Sequence, residues 1–284
     1  MKNEPEVWIK GFPVPDENSH KYSRGQVAVL GGAEMTGAAC LSADAAAKIG
    51  AGLVTIISPD KKSTNIYRCF KPYIIVRDDV EIYDFVLKAK EKGRVCPSIG
   101  SGLGNKDYRL LRDVILPLLD ECDEILIDAD GLNAFEGHSD LLFSKLHNNV
   151  VLTPHEGEFK KLFPNLAGLL ADNRAEATKK AAICSNAIIV LKGHETIIAT
   201  QGQDVIINDN ASPYLASAGS GDVLSGLIAG LTAQGMSAFN AACAGVYMHG
   251  RASEIVGVGL VASDLIEVFP KVLKEMLGIH KKLG

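Results

Sequence analysis

The chain has 284 residues, 47% of them hydrophobic and 22% charged, with a formal net charge of −5. That is the make-up of an ordinary soluble globular protein, long enough to bury a large core without staples. The acidic balance argues against nucleic acid as the main partner but leaves room for a local cationic pocket for phosphates.

Short apolar runs alternate with helical patterns. Gln26–Leu30 reads as a strand ending at Gly31-Gly32, and Thr36–Ile49 as an alanine-rich helix. Leu53–Ile57 is the next strand, Tyr73–Val76 a further candidate, and Val80–Lys92 a helix. Arg94–Ile99 is a strand closed by Gly100, and Tyr108–Leu119 carries apolar residues three and four apart. Strands are expected at Glu124–Ile127, Val150–Leu152 and Ala187–Leu191. Thr196–Ala199 and Val205–Ile207 read as a hairpin or meander, and three helices follow from Gly221, with breaks near Gly235 and Val258. This alternation predicts one α/β domain over residues 1–284, a mostly parallel sheet covered on both faces, with a mixed edge. In such folds ligands sit at the carboxyl ends of strands.

The six cysteines (Cys40, Cys69, Cys96, Cys122, Cys184, Cys243) form no CxxC pair and no Cys/His cluster of zinc spacing. They are expected to be reduced and mostly buried. The polar N-terminus lacks an apolar leader, and no run reaches transmembrane length. The expectation is a cytoplasmic protein with no membrane partner.

The most informative segment is Ala216–Gly226, ASAGSGDVLSG. Small residues and glycines before a helix present main-chain N–H groups to an anion. Asp222 inside such a site has one of two uses: accepting a proton from a hydroxyl, or stabilising the first helical turn. Gly100–Gly104 follows a strand with GxGxG spacing, which is not the dinucleotide pattern and also fits a tight turn. In Val151–Phe159, Thr153 is placed as an N-cap, Pro154 at the first helical position and Glu156 at the third. His155 is then left to project toward the cleft. Lys192, at a strand end beside Gly193, suits a phosphate or an ordinary turn. Asp128 and Asp130 suit Mg²⁺, directly or through water, or a helix cap.

Taken in order, these segments resemble the NAD(P)H-hydrate dehydratase family. The blocks are His20-Lys21 with Gly25, Gly31-Gly32, Met35–Ala39, Gly50–Val54, Gly100–Gly104, Asp128–Asp130 with Leu132-Asn133, and Thr153–His155 with Gly157-Glu158. Leu191–Gly193 with Thr196, Ala218–Gly226, and Gly245–Tyr247 with His249-Gly250 complete the series. The resemblance implies a ribokinase-like three-layer αβα sandwich. It implies ADP- or ATP-dependent dehydration of the S-epimer of hydrated NADH or NADPH, with release of phosphate. By similarity, Ala38, Gly102, His155 and Asp222 contact the hydrate, with Asp222 catalytic. Lys192, Gly193, His194, Glu195, Thr196, Ala218, Gly219, Ser220 and Gly221 contact the nucleotide, with Mg²⁺ on its phosphates. A homotetramer and a separate epimerase partner are further implications. The sequence departs from the family pattern at Ser101, where proline is usual, at Gly131 for alanine and at Ser220 for threonine. Two alternatives stay open: a kinase of the same superfamily acting on a vitamin precursor of the hydroxymethylpyrimidine or hydroxyethylthiazole type, and a nucleotide sensor without chemistry.

Overall fold

A computed structural model of the chain describes residues 1–104 and 107–283; Asn105, Lys106 and Gly284 lie outside the described residues. Runs rich in valine, isoleucine and leucine make short strands whose successive side chains face opposite ways. In chain order the elements are β1 (Gln26–Leu30), α1 (Thr36–Lys48), β2 (Leu53–Ile57), α2 (Lys61–Arg68), β3 (Ile75–Arg77), α3 (Ile82–Lys90) and β4 (Val95–Ile99). Next come α4 (Tyr108–Glu121), β5 (Ile125–Ile127), α5 (Ala129–Asn133), α6 (Ser139–Phe143), β6 (Val150–Leu152), α7 (Glu156–Leu162), α8 (Ala167–Asp172) and α9 (Arg174–Ser185). The chain closes with β7 (Ile188–Leu191), β8 (Thr196–Ala199), β9 (Ile206–Asn208), α10 (Ser220–Ala233), α11 (Ala238–Val256) and α12 (Ala262–Leu283).

Among the described residues the strands form one sheet in the order β3-β2-β1-β4-β5-β6-β7-β8-β9. Strands β1 to β7 pair in parallel, with Val27 opposite both Val54 and Cys96; β8 and β9 add antiparallel, as the hairpin expectation required. The alternation of side chains divides the core. Leu126, Val151, Ile188 and Val190 pack toward α10, α11 and α12. Their neighbours Ile125, Ile127, Val150, Leu152, Ile189 and Leu191 pack toward the opposite helical layer. Both faces are therefore dry, which is why these strands read as unbroken apolar runs. The alanines of α1 (Ala39, Ala43, Ala46) and of α10 (Ala229, Ala233) share a third cluster with Val27, Val29, Val54 and Ile56. Small residues at that seam let α10 lie close to α1 and fix where its first turn points.

The structure moves several expected boundaries. Strand β3 begins at Ile75, not Tyr73, because Pro72 and Tyr73 form a turn closed by Ile74 N donating to the Lys71 carbonyl at 3.2 Å. Helix α7 begins at Glu156, two residues later than the capping pattern suggested. Helices α2, α6, α8 and α9 were not expected. Their apolar residues are few or mostly alanine, and α2 and α9 are set instead by N-caps: Asp60 Oδ1 accepts from Ser63 N at 2.8 Å, and Asn173 Oδ1 from Glu176 N at 3.0 Å. The polar N-terminal segment also takes a fixed place. Asn3 N donates to the Ile207 carbonyl at 2.8 Å and the buried Trp8 indole to Asn3 Oδ1 at 3.1 Å, which covers the β9 edge. All six cysteines are free, and Cys40, Cys96, Cys122 and Cys243 are buried. Among the described residues no helix is long and apolar enough to cross a membrane.

Candidate active site

Strand order reverses at β1: β2 and β3 lie to one side, β4 and its successors to the other. The crevice above the carboxyl ends of β1 and β4 is thus a topological switch point, where α/β sheets bind ligands. The Gly31-Gly32 turn after β1 and the Gly100–Gly104 loop after β4 meet there. A β-carbon on Gly32 would stand 1.8 Å from the Gly102 carbonyl oxygen, so only glycine lets the two loops touch. Gly102 (φ +66°) in turn packs on Ala38, and the Tyr67 hydroxyl fixes the Gly32 carbonyl at 2.7 Å.

Helix α10 aims its N-terminus at the same crevice. Its N-cap is Gly219 at φ +88°, a left-handed conformation that suits glycine, and a β-carbon there would also press on Leu41 at 2.5 Å. Asp222 is the third residue of the helix, and its carboxyl does not cap the helix; it takes a hydrogen bond from the Ser101 side chain. Burial pushes the Asp222 carboxyl up to about 6; Asp128 pushes the same way, while Ser101 and Lys192 pull it down. The lowering expected at a helix N-terminus is therefore outweighed by desolvation, before any phosphate enters.

Next to Asp222 lies a buried ion pair. Asp128, 2% exposed, accepts from Lys192 Nζ at 2.7 Å on one oxygen and from Ser225 Oγ at 2.7 Å on the other. Burial works against its charge, but Lys192 and Ser225 win, and its pKa sits below the usual carboxylate value. Burial likewise opposes the Lys192 charge and is overcome by Asp128 and Glu158. Glu158, 4.0 Å from Lys192, is pushed upward by burial. Ala129, at φ +44°, makes the strained turn that seats Asp128 beneath Gly100. The two carboxylates suggested for Mg²⁺ take different partners, since Asp130 Oδ2 accepts from Gly104 N at 3.0 Å. Asp128 makes no side-chain cap to α5 either. Among the described residues no group of three or more His, Cys, Asp and Glu side chains is placed to hold a metal.

Residues 27–267 match a family model described as NAD(P)H-hydrate dehydratase. The chain belongs to this family.

An ADP-dependent (S)-NAD(P)H-hydrate dehydratase of Neisseria meningitidis is 31% identical to this dehydratase-family chain over 266 residues, 89% of this chain and 86% of that one. A bifunctional NAD(P)H-hydrate repair enzyme of Salinibacter ruber is 34% identical over 287 residues, 94% of this chain and 51% of that protein. The chain spans about half the length of the bifunctional relatives it matches. The solved Bacillus subtilis ADP/ATP-dependent NAD(P)H-hydrate dehydratase, co-crystallised with ATP/Mg²⁺, has a TM-score of 0.79 and 27% identity, covering 95% of this chain and 97% of that one. The three-layer sandwich is thus ribokinase-like, as the sequence led one to expect.

A cavity of about 520 Å³ runs outward from the Lys192–Gly221 junction of the dehydratase fold. His155, Lys192, Gly193, His194, Thr196, Ser220 and Gly221 all line it. Ala38, Gly102 and Asp222 gather at the switch point beyond it. Ala218 and Gly219 form the turn before α10, outside the lining. Glu195 also stands outside, its carbonyl taking a hydrogen bond from Arg174 Nη2 at 3.4 Å. A larger groove, about 860 Å³, lies among α6, α7 and α9, away from the strand ends.

His155 corrects the sequence reading. It is the N-cap of α7: its Nδ1 accepts from Gly157 N at 2.9 Å and Glu158 N at 3.2 Å, and Glu158 closes the capping box on His155 N at 2.9 Å. Capping thus accounts for His155 and Glu158 rather than Thr153 and Glu156, and the ring borders the cavity as a consequence. The sequence reading also left Ser101, Ser225 and His249 without roles. His249, on α11, lines the cavity, is 7% exposed and is kept neutral by burial, with its pKa at about 4. The His249-Gly250 dipeptide was visible, but its approach to β7 and α10 depends on how α11 packs.

Proposed function

We propose that the chain dehydrates the S-epimer of hydrated NADH or NADPH at the expense of ADP or ATP, restoring the reduced nucleotide and releasing phosphate. The observation that carries this reading is Asp222: a desolvated carboxyl, pushed up to about 6, one residue from an amide that opens on the Lys192 cavity. A base titrating near neutrality suits abstraction of a hydroxyl proton. The nucleotide lies along the cavity with its phosphates toward Lys192 and Gly221; the hydrate lies at Ala38, Gly102 and Asp222, beside His155.

Asp222 takes the proton of the hydrate hydroxyl as its oxygen attacks the terminal phosphorus. The new P–O bond forms as the bond to the nucleotide breaks, and first-turn amides of α10 hold the moving group. The C–O bond then breaks, phosphate leaving with the electron pair, while the neighbouring ring carbon gives up a proton to solvent water, and the double bond returns. Among the described residues no carboxylate cluster would hold a metal and Asp128 is already engaged by Lys192 and Ser225, so a Mg²⁺ would enter with the nucleotide, held by its phosphates and water. When bound, Mg²⁺ neutralises phosphate charge. Work as a cytoplasmic homotetramer alongside an epimerase belongs to the same reading; size-exclusion chromatography with light scattering checks the tetramer.

The test is to mix the purified chain, hydrated NADH, Mg²⁺ and either ADP or ATP, and to follow NADH absorbance and free phosphate together. Recovery of both in equal amounts is expected. A phosphorylated alcohol without free phosphate would point to a vitamin-precursor kinase, and nucleotide binding without turnover to a sensor.

A further inference from the structure

One wall of the cavity is held from outside it. After β9 the chain runs past Asn208, Ala211, Ser212 and Pro213, which line the cavity together with Val246 and Gly250 of α11. Residues 209–212 have no regular structure, so their place depends on side-chain bonds. Those bonds form a single file. Asn3 Nδ2 donates to Asn208 Oδ1 at 2.9 Å, Asn208 Nδ2 to Asn210 Oδ1 at 2.8 Å, and Asn210 Nδ2 to the Tyr247 carbonyl of α11 at 3.0 Å. Neither end leaves the amides a choice of direction. The Trp8 indole N–H can only donate, so Asn3 turns its oxygen to it, and the Tyr247 carbonyl can only accept. Asn3 Nδ2 also donates to the Cys243 carbonyl of α11 at 2.8 Å. Asn3 and Asn208 are buried, so a lost member leaves its neighbours unpaired. Asn210 lies so close to α11 that a β-carbon on Gly250 would stand 2.0 Å from its Oδ1. Asn3 itself is not part of the lining.

We propose that Asn3 is a positioning residue of the nucleotide cavity: through Asn208 and Asn210 it holds the segment after β9 against α11, and so sets how tightly the cavity grips the nucleoside half of ADP or ATP. This rests on the reading of the cavity as the nucleotide site. The phosphates occupy the Lys192–Gly221 end, and the nucleoside extends between Pro213, Leu215, Leu224 and Val246, apolar walls suited to a flat ring. Asn3 acts on affinity alone and has no part in the proton transfer.

The experiment is calorimetric titration of the full chain, wild type, Asn3→Asp, Asn210→Ala and the double variant, with ADP and with inorganic pyrophosphate. Asn3→Asp keeps the shape of the side chain and the acceptor for Trp8, and withdraws both donors. Loosening the wall by one neutral hydrogen bond weakens ADP by about three- to tenfold and leaves pyrophosphate within about twofold, because the phosphate end lies apart from this wall. In the NADH-recovery assay KM for ADP rises by the same factor, and kcat at saturating ADP stays within about twofold. Asn210→Ala breaks the same file at its far end, so the double variant loses no more ADP affinity than the weaker-binding single variant. Equal ADP affinity in wild type and Asn3→Asp overturns the inference. Parallel losses of ADP and pyrophosphate overturn it too, since a merely structural asparagine would loosen the whole site, as does additive loss in the double variant. Failure of wild type to bind ADP sinks the nucleotide reading instead. If Asn3→Asp does not fold, the ADP and pyrophosphate affinities of Asn210→Ala decide, read in the same way.

Discussion

Replacing Asp222 by asparagine separates the two uses open to this residue, because they predict opposite signs of stability change. Folding raises its carboxyl from the ordinary 3.8 to about 6. A group raised in this way favours the folded chain when protonated. The benefit is complete below about pH 4, is lost as pH rises through 6, and leaves the ionised carboxyl destabilising at pH 8. At 1.36 kcal/mol per pH unit the gap amounts to about 3 kcal/mol as an upper value. The asparagine side chain has nearly the same shape, can still accept from Ser101 and carries no charge. The variant is therefore expected to be more stable than wild type by up to about 3 kcal/mol at pH 8, a rise of roughly 5 °C in melting temperature, and equal to it at pH 4. Turnover is expected to fall by about 10²–10⁴, and wild-type kcat/KM to decline below pH 6 as the base is protonated. Urea unfolding at both pH values, beside the NADH-recovery assay, reads all of this. An acid that only supports a first helical turn contributes about 0.3–1 kcal/mol, so its loss would destabilise the chain at pH 8. That result, or normal turnover, would refute the reasoning.

Lys192→Met strands Asp128, 2% exposed, without its cation, and should cost about 3–5 kcal/mol in urea unfolding. Adding Asp128→Asn should recover most of that loss; additive losses would deny the coupling. Gly32→Ala places a β-carbon 1.8 Å from the Gly102 carbonyl; turnover should fall about 10²-fold as the loops part, with ADP affinity unchanged by calorimetry. Chelating divalent cation with EDTA should weaken ADP binding strongly and restore it on adding Mg²⁺; ADP affinity indifferent to EDTA would remove the metal from the scheme.

The layers of the fold were legible because burial on both faces leaves a mark that one sequence can show: apolar pentads such as Gln26–Leu30 and Leu53–Ile57, separated by helical spacing. Helices α2 and α9 were not legible, since their stability comes from caps at Asp60 and Asn173 and from tertiary packing of small residues. At the site, the glycine turns and Asp222 stood out by residue type and by their place after strands. The cap of α7 was misplaced at Thr153 because a histidine ring capping through Nδ1 is uncommon beside a standard N-cap residue two positions earlier, whereas the expected approach of His155 to the cleft is what the structure has. The Asp128–Lys192 bond joins residues 64 apart in the chain, and no local pattern announces it. Each side chain alone had a bland explanation, and only the parallel order β5-β6-β7 brings the two strand ends within reach.

On the proposed function, that ion pair bears on how a base would coexist with an anion site. Lys192 is the cation closest to Asp128, yet Asp128 and Glu158 already answer its charge. Its pull on Asp222 is correspondingly weak beside desolvation, and the Asp222 carboxyl stays near 6 instead of falling. A free lysine in the same place would grip phosphate better but would also hold Asp222 firmly ionised and feebly basic. On the proposed function, giving phosphate recognition to uncharged main-chain amides and tying the lysine down would let the same few ångströms hold a polyphosphate and still present a carboxylate able to take a proton.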